Sequence, residues 1–251
     1  MNQAVVAERY PVPPEELRWR STGMRSADDF LQSGRNDLEF FDTQALGKDG
    51  KSFRSFESIL DFGCGCGRLI RSLRSFCEPS AAIHGTDIDP VAIKWCKENI
   101  PDASFFLSDG LPPLPFTDKS MDLIYACSVF SHLDAEHQFR WLAELQRILK
   151  PDGYLLLTFR HDVEQVADPA ARERVSGELR RDGIAFMTTD AWEGVFPSWY
   201  GETYHSQDYV WKNWGSYFEV RHVIKAGAIP EDTAVLRALE STFLQRLFRL
   251  S

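Results

Sequence analysis

The sequence predicts a doubly wound α/β fold built on a mostly parallel sheet of seven strands. Five short apolar runs follow one another with amphipathic stretches between them, which is the pattern of successive βαβ units. Two more apolar runs near the C-terminus are joined by a short loop, which indicates an antiparallel pair. With 251 residues, 43% of them hydrophobic, the chain is long enough for one globular domain with a full core.

Residues 1–57 precede the first apolar run and are predicted to form an N-terminal cap segment. The main domain then covers residues 58–251. Within the cap, the spacing of apolar residues predicts a short helix over 27–31 and a longer one over 37–46, which ends at Gly47.

The core strands are predicted at SILDFG, AAIHGTD, ASFFLSD, MDLIYAC and YLLLTF. Helices are predicted between them over residues 68–76, 90–99 and 138–149. The second helix has Asp89 at its N-cap and Pro90 at its first position, an arrangement that favours helix initiation. The third helix stops at a turn over residues 150–153, directly before the last of these strands.

Residues 161–215 interrupt this regular alternation and are rich in tryptophan and tyrosine. A connection of this length is predicted to be an insertion on the ligand side of the sheet rather than a plain loop. The last two strands are predicted over 217–224 and 233–239. An apolar helical stripe follows, which is typical of core packing or a homodimer contact; its members are Phe243, Leu244, Leu247 and Phe248.

Charge and cysteine content limit the possible partners and the cellular location. The formal net charge of −9 disfavours a broad electrostatic grip on nucleic acid or anionic lipid. The five cysteines are odd in number and fall mostly in predicted core elements, which indicates reduced thiols and a cytoplasmic protein. No stretch has the pattern of a signal peptide or a membrane span, so neither is expected.

The strongest local signal is DFGCGCG, which stands between the first predicted strand and a predicted helix. Gly63 and Gly65 allow a tight turn and a close approach of the backbone to a ligand, next to the free N–H groups of a helix start. A dinucleotide fingerprint requires a third glycine where this chain has Arg68, so a nicotinamide cofactor is the weaker interpretation. Cys64 and Cys66 lack the further ligands of a metal site, and no metal is predicted.

Asp87 follows the second predicted strand, twenty residues after Gly67. At this position an acidic side chain accepts hydrogen bonds from ribose hydroxyls in open α/β proteins. The glycine turn and Asp87 together indicate a ligand that contains a nucleoside. The alternative is an ordinary strand-to-helix turn with Asp87 as a loop cap.

These motifs resemble, in order and spacing, those of the class I S-adenosylmethionine-dependent methyltransferases, over residues 58–160. The resemblance implies a Rossmann-like methyltransferase fold that binds S-adenosylmethionine. It implies that the glycine turn binds the methionine part of the cofactor and that Asp87 binds the ribose. It also implies that Ile88 and the SDGL stretch contact the adenine, and that the loop after the fourth strand lies beside the cofactor. The cofactor-binding residues implied are Asp61, Gly63, Cys64, Gly65, Asp87, Ile88, Asp109, Gly110, Leu111, Cys127 and Ser128. Residues that could fold over the cofactor, with an arginine toward its carboxylate, are Trp19, Arg20, Arg25 and Gly34.

The acceptor is predicted to be a small molecule. After the fourth strand the chain reads ACSV rather than the NPPY type found in family members that methylate nucleic-acid bases. Trp199, Tyr200 and Tyr204 are candidates for acceptor binding, since they combine apolar area with polar tips. The alternative is that these rings form the core of the insertion.

His132 and His205 are the candidates for a general base. The alternative is that His132 bonds a loop carbonyl and that His205 caps a helix. The function predicted is O- or N-methylation of a small metabolite by in-line displacement. A non-catalytic cofactor-binding partner or sensor is the second hypothesis, and an NAD(P)-dependent oxidoreductase is the third.

Overall fold

The computed structural model describes residues 9–188, 196–197, 199–227 and 229–239. A seven-stranded sheet runs through its centre. The strands of this sheet are β1 (Ser58–Phe62), β2 (Ala82–Asp87), β3 (Ser104–Leu107), β4 (Met121–Ala126), β5 (Leu149–Phe159), β8 (Phe218–Ile224) and β9 (Asp232–Ala238). Their order across the sheet is β3-β2-β1-β4-β5-β9-β8. The first five are parallel to one another, which confirms the predicted α/β fold class.

The order of the strands fixes the position of the ligand crevice. Strand β1 pairs with β2 on one side and with β4 on the other, so the chain changes direction of winding between β1 and β4. In an open parallel sheet, a crevice opens at such a switch point beyond the carboxyl ends of the strands. Asp61 lies near the end of β1, directly opposite Gly85 and Tyr125.

The predicted antiparallel strand pair is confirmed at the far edge of the sheet. Strand β9 is antiparallel to both β5 and β8. Strand β5 starts earlier than predicted because the turn at residues 150–153 lies within its bounds as a bulge. Met121 pairs with Leu149, but Leu123 pairs with Tyr154. Residues 150–153 of β5 therefore bulge out of the pairing with β4.

Helices cover both faces of the sheet. They are α1 (Glu15–Thr22), α2 (Ala27–Phe40), α3 (Ile70–Leu73), α4 (Pro90–Asn99), α5 (Ala135–Ile148), α6 (Pro169–Asp182) and α7 (Gln207–Asn213). Helix α4 begins as predicted, since the Asp89 carboxylate accepts from Val91 N at 2.8 Å. Helix α5 begins at Ala135, before the predicted start, because Asp134 caps it. Helix α3 is shorter than predicted, since residues 65–69 form turns.

The N-terminal cap contains one long helix where two were predicted. Helix α2 runs without a break to Phe40 and continues as a wider π-helical turn over Phe41–Ala45. Gly34 lies within the helix, and a Cβ there would stand only 2.3 Å from the Arg68 carbonyl oxygen. The missing side chain therefore lets α2 pack directly on the loop that follows β1.

The insertion has secondary structure that was not predicted. After α6, strands β6 (Ile184–Thr188) and β7 (Gly201–His205) form a separate antiparallel two-stranded sheet. Val175 of α6 packs beneath this sheet. The predicted C-terminal stripe from Phe243 to Phe248 lies outside the described residues. Within the described residues, no helix is long and apolar enough to cross a membrane.

Candidate active site

A cavity of about 340 Å³ opens at the carboxyl ends of β1, β2, β4 and β5. The N-terminal cap, the insertion and the loop before β9 form its other walls. The predicted site residues that line it are Asp61, Gly63, Cys64, Gly65, Asp87, Ile88, Gly110, Cys127, Ser128, His132, Trp199 and Tyr200. Asp109, Leu111, Tyr204 and His205 do not line it.

The glycine turn after β1 is held against the end of β2 by its own backbone. The N–H groups of Gly63 and Cys64 donate to the Thr86 carbonyl oxygen at 2.8 and 2.9 Å. Gly65 N donates to Asp87 Oδ2 at 2.7 Å. Both glycines have positive φ, 81° and 52°, a conformation that side-chain-bearing residues rarely adopt. The turn and Asp87 therefore form one rigid unit at the mouth of the crevice.

Asp61 supplies a buried carboxyl group near the end of β1, with the Tyr125 hydroxyl and the Arg68 guanidinium as its neighbours. Its Oδ2 atom is buried and has no hydrogen-bond partner among the described residues. Burial raises the pKa of Asp61 to about 7, although the nearby Tyr125 hydroxyl and the Arg68 guanidinium lower it. A bound cationic group would stabilise the ionised carboxylate. The arrangement thus suits an ammonium ligand.

Asp87 is fixed by two backbone donors. Its Oδ2 accepts from Gly65 N, and its Oδ1 accepts from Asp89 N at 2.8 Å. Burial raises the pKa of Asp87 to about 6, and these backbone hydrogen bonds limit the rise. Each carboxylate oxygen can accept a further hydrogen bond, so the group is able to bind hydroxyl donors. The adjacent Thr86 hydroxyl is buried, and no group in the part of the chain that the structure describes hydrogen-bonds to it.

Two arginines tie the N-terminal cap to the crevice. Arg68 Nη1 donates to Asp37 Oδ2 of α2 at 2.5 Å, and its side chain is largely buried. Arg20 Nη2 donates to Asp89 Oδ2 at 2.8 Å. Trp19 and Arg25 do not line the cavity, and their side chains stack on each other at 4.6 Å. Residues 20–24 thus cover the crevice, and Arg20 is the charged residue among them.

His132 lines the cavity from the turn after β4, on the other side of β1 from the strand that carries Asp87. Its Nδ1 lies 2.8 Å from the Gly201 carbonyl oxygen, which can only accept. The proton of the neutral ring is therefore on Nδ1, and Nε2 carries the lone pair. Burial and the nearby Arg160 lower the pKa of His132, which keeps the ring neutral at pH 7.

Aromatic rings of the insertion fix this end of the cavity. The Tyr200 ring stacks on His132 at 4.5 Å and on Phe196 at the same centroid distance. Trp199 stacks on His137 at 4.5 Å and closes over Gly110, where a Cβ would stand 2.8 Å from its ring. Trp199 and Tyr200 therefore form part of the cavity wall, and contact with an acceptor stays a prediction for both.

Four of the predicted site residues lie elsewhere for identifiable reasons. His205 is fully buried, with Nε2 at 3.1 Å from Gln138 Oε1, and burial lowers its pKa to about 3. Tyr204 belongs to the core of the insertion. Asp109 and Leu111 are exposed on the loop after β3 and point away from the cavity, which only their neighbours Ser108 and Gly110 reach. The helix that begins at Gln207 is capped by Ser206 rather than by His205.

The polar residues of the cavity wall to which sequence reasoning assigned no role include Thr158, Arg160 and Glu231. Thr158 and Arg160 stand at the carboxyl end of β5, where the rule that located Asp87 would also have found them. Glu231 comes from the loop before β9 and carries no local signal. Among the described residues, no three His, Cys, Asp or Glu side chains are arranged to hold a metal ion.

The sheet order, the glycine turn and the two buried acids define an α/β protein of the methyltransferase architecture. Comparisons with known proteins agree with this architecture. Residues 60–157 match the family model described as methyltransferase domain. The matched segment runs from within β1 to within β5 and contains the glycine turn, Asp61 and Asp87.

Curated relatives match over part of their length. A phthiotriol/phenolphthiotriol dimycocerosates methyltransferase from Mycobacterium ulcerans is 34% identical over 45% of this chain and 41% of its own. A ubiquinone/menaquinone biosynthesis C-methyltransferase from Bordetella avium is 30% identical over 45% of this chain and 43% of its own. This chain thus spans less than half the length of these relatives.

A solved structure extends the similarity to the whole fold. Human N-acetylserotonin methyltransferase, in complex with S-adenosylmethionine, superposes with a TM-score of 0.55. The superposition covers 90% of this chain and 60% of the human one, at 18% sequence identity. At that identity the likeness establishes the fold.

Proposed function

We propose that this protein transfers a methyl group from S-adenosylmethionine to a hydroxyl or amino group of a small molecule. One observation carries the proposal: a single cavity joins two buried acids, Asp61 and Asp87, to the basic nitrogen of His132. The two acids could bind the cofactor. The imidazole could remove a proton from an acceptor in the same cavity.

The residues present fit the cofactor. The orphaned, buried Asp61 carboxyl matches the ammonium group of the methionine part. The remaining lone pairs of Asp87 match the ribose hydroxyls, and the glycine turn brings peptide groups close to the ligand. When bound, the cofactor supplies an electrophilic methyl group on a sulfonium.

The chain's own residues would contribute mainly by orientation. Holding an acceptor in line with the methyl group can lower the barrier by roughly 7 to 11 kcal/mol. A positioned base contributes about 10² to 10⁴-fold, or roughly 3 to 5 kcal/mol. His132 would accept the acceptor's proton on Nε2, while the rings of Trp199 and Tyr200 exclude water. Because a base of this kind acts by removing a proton, the arrangement favours acceptors that carry an O–H or N–H group.

A small acceptor is supported by the enclosure of the cavity. The segment from Arg20 to Met24 lies on one side, and the rings of the insertion lie on the other. The net charge of −9 disfavours a polyanionic acceptor such as nucleic acid.

Binding and transfer test the proposal separately. Calorimetry with S-adenosylhomocysteine should give a dissociation constant well below millimolar. Tritium should then pass from labelled S-adenosylmethionine to a member of a panel of simple phenols, catechols and amines, or to a compound in a metabolite extract. Tight binding with no labelled product would instead favour a non-catalytic sensor. Absence of binding would contradict the proposal.

The affinity for S-adenosylhomocysteine should depend on pH through Asp61. The free carboxyl has a pKa of about 7, and the ammonium group of the ligand requires the ionised form. Affinity should therefore rise as pH increases from 5.5 to 7, approaching tenfold per unit in the acidic range, and flatten above pH 7. Calorimetry in buffers of different ionisation enthalpy would detect the proton released below pH 7.

The Asp61→Asn variant provides the control for this pH dependence. It should bind weakly at pH 7.5 and lose most of the slope, while any slope that remains reports Asp87, whose pKa is about 6. A dissociation constant of the unmodified protein that does not change between pH 5.5 and 7.5 would contradict the role given to Asp61.

A further inference from the structure

Ser128 begins the turn that carries His132, and its backbone conformation is unusual. Its φ angle is 57°, in the left-handed region that residues with a side chain rarely adopt. The chain continues from it into the short helical turn Phe130–His132, in which His132 N donates to the Val129 carbonyl oxygen at 2.9 Å. Whatever fixes Ser128 therefore fixes the direction in which the His132 ring leaves β4.

A buried relay of hydrogen bonds holds Ser128 in this conformation. Its N–H donates to Thr158 Oγ1 at 2.7 Å, and the Thr158 hydroxyl donates to Glu231 Oε2 at 2.6 Å. Thr158 is fully buried and Glu231 nearly so. The relay thus joins the ends of β4 and β5 to the loop before β9, three parts of the chain that are far apart in sequence.

The carboxylate determines the polarity of the relay. The Thr158 hydroxyl has one proton, and because Glu231 can only accept, that proton points to Glu231. A lone pair of Thr158 is then directed at Ser128 N. The other carboxylate oxygen lies 3.4 Å from Arg160 Nε, so both oxygens of Glu231 face donors. An amide in place of the carboxylate could serve only one of these two donors.

We propose that Thr158 and Glu231 are positioning residues that orient the Ser128–His132 turn for methyl transfer. The inference rests on the proposed function, since it assigns these residues a part in the same reaction. Neither residue needs to touch the acceptor. Their effect passes through one backbone N–H to the segment that carries the candidate base.

Valine and serine at position 158 distinguish positioning from packing. Thr158→Val keeps the shape of the side chain but leaves Ser128 N–H without its acceptor, whereas Thr158→Ser keeps the hydroxyl. The matched control is Thr233→Val. Thr233 pairs directly opposite Thr158 on β9, is fully buried as well, and its hydroxyl has no hydrogen-bond partner among the described residues.

Two measurements that require no acceptor come first. Hydrogen exchange of the amides over residues 127–133 should be at least tenfold faster in Thr158→Val, and within threefold of the unmodified protein in Thr158→Ser and Thr233→Val. Binding of S-adenosylhomocysteine should weaken less than threefold in Thr158→Ser and Thr233→Val. Glu231→Gln should show the same faster exchange, which keeps the inference testable if Thr158→Val does not fold.

Methyl transfer to the panel compound that the unmodified protein labels best is the third measurement. Its rate should fall at least tenfold in Thr158→Val, while Thr158→Ser and Thr233→Val stay within threefold of the unmodified protein. Unchanged exchange in Thr158→Val, or an equal loss of rate in Thr158→Ser, would overturn the inference. If the unmodified protein binds no S-adenosylhomocysteine, the proposed function fails, while the exchange comparison still decides whether the relay orders the turn.

Discussion

Gly65→Val should weaken the binding of S-adenosylhomocysteine by at least 100-fold, which corresponds to about 2.7 kcal/mol. Gly65 has a φ of 52°, and a Cβ at this position would stand 2.9 Å from the Cβ of Ser21. A branched side chain must therefore displace either the turn or the end of α1. Displacing the turn also moves the N–H group that holds Asp87. Calorimetry measures the loss directly.

Gly50→Val separates the loss of the site from general backbone strain. Gly50 also has a positive φ, 67°, but a Cβ there would meet no atom within 4 Å. This variant should lose some thermal stability because valine resists the left-handed conformation, yet it should bind S-adenosylhomocysteine as the unmodified protein does. If Gly65→Val melts no earlier than Gly50→Val and still binds within threefold of the unmodified protein, the turn does not contact the ligand.

The central fold could be predicted because its signals are local. Each parallel strand contains a short apolar run, and the start of α4 is marked by two adjacent residues, Asp89 and Pro90. The order of the strands carries no such local signal, because the right-handed rule fixes the face of each connecting helix and not the side of β1 on which the next strand pairs. The antiparallel pair at β8 and β9 followed from the length of one loop.

The insertion could not be predicted because its first helix buries little apolar surface and its second strand depends on distant residues. Helix α6 has one fully buried residue, Val175, so its sequence lacks the helical spacing of apolar side chains. Strands β6 and β7 are short and pair with each other, apart from a bridge between Tyr204 of β7 and Arg160. Strand β7 is also held by the turn after β4, since the Thr203 hydroxyl donates to the Leu133 carbonyl oxygen at 2.6 Å. Such a tertiary contact leaves no local sequence pattern.

Part of the candidate site could be predicted from the sequence and part could not. Asp61 and Asp87 follow apolar runs at strand ends, where the rule for ligand sites in open parallel sheets locates them. Glu231 reaches the cavity only because β9 inserts beside β5, a tertiary fact without a local signal. Both His132 and His205 are candidates from the sequence, with His132 the first of the two. Burial separates them, since His205 is enclosed by Gln138 and neighbouring rings whereas His132 lines the cavity.

His132→Asn should reduce the single-turnover rate of methyl transfer by about 10² to 10⁴-fold. Asparagine can keep the donor to the Gly201 carbonyl oxygen, because its amide nitrogen occupies nearly the position of Nδ1, but it has no counterpart of the basic Nε2. Binding of S-adenosylhomocysteine should change less than threefold. The variant thus isolates the loss of a base from the loss of the hydrogen bond that orients the ring.

The pH profile and a matched histidine complete this test. Because the pKa of His132 is lowered, the rate of the unmodified protein at saturating S-adenosylmethionine should rise only in the acidic range, below pH 6.5, and stay level at neutral pH. His132→Asn should lack that rise at the same saturation, which removes the contribution of Asp61 to cofactor binding. His161 also directs Nδ1 at a backbone carbonyl, 2.9 Å from the oxygen of His205, but it is exposed and outside the cavity. His161→Asn should therefore transfer methyl groups at the unmodified rate, and a His132→Asn variant that does the same would show that positioning alone drives the reaction.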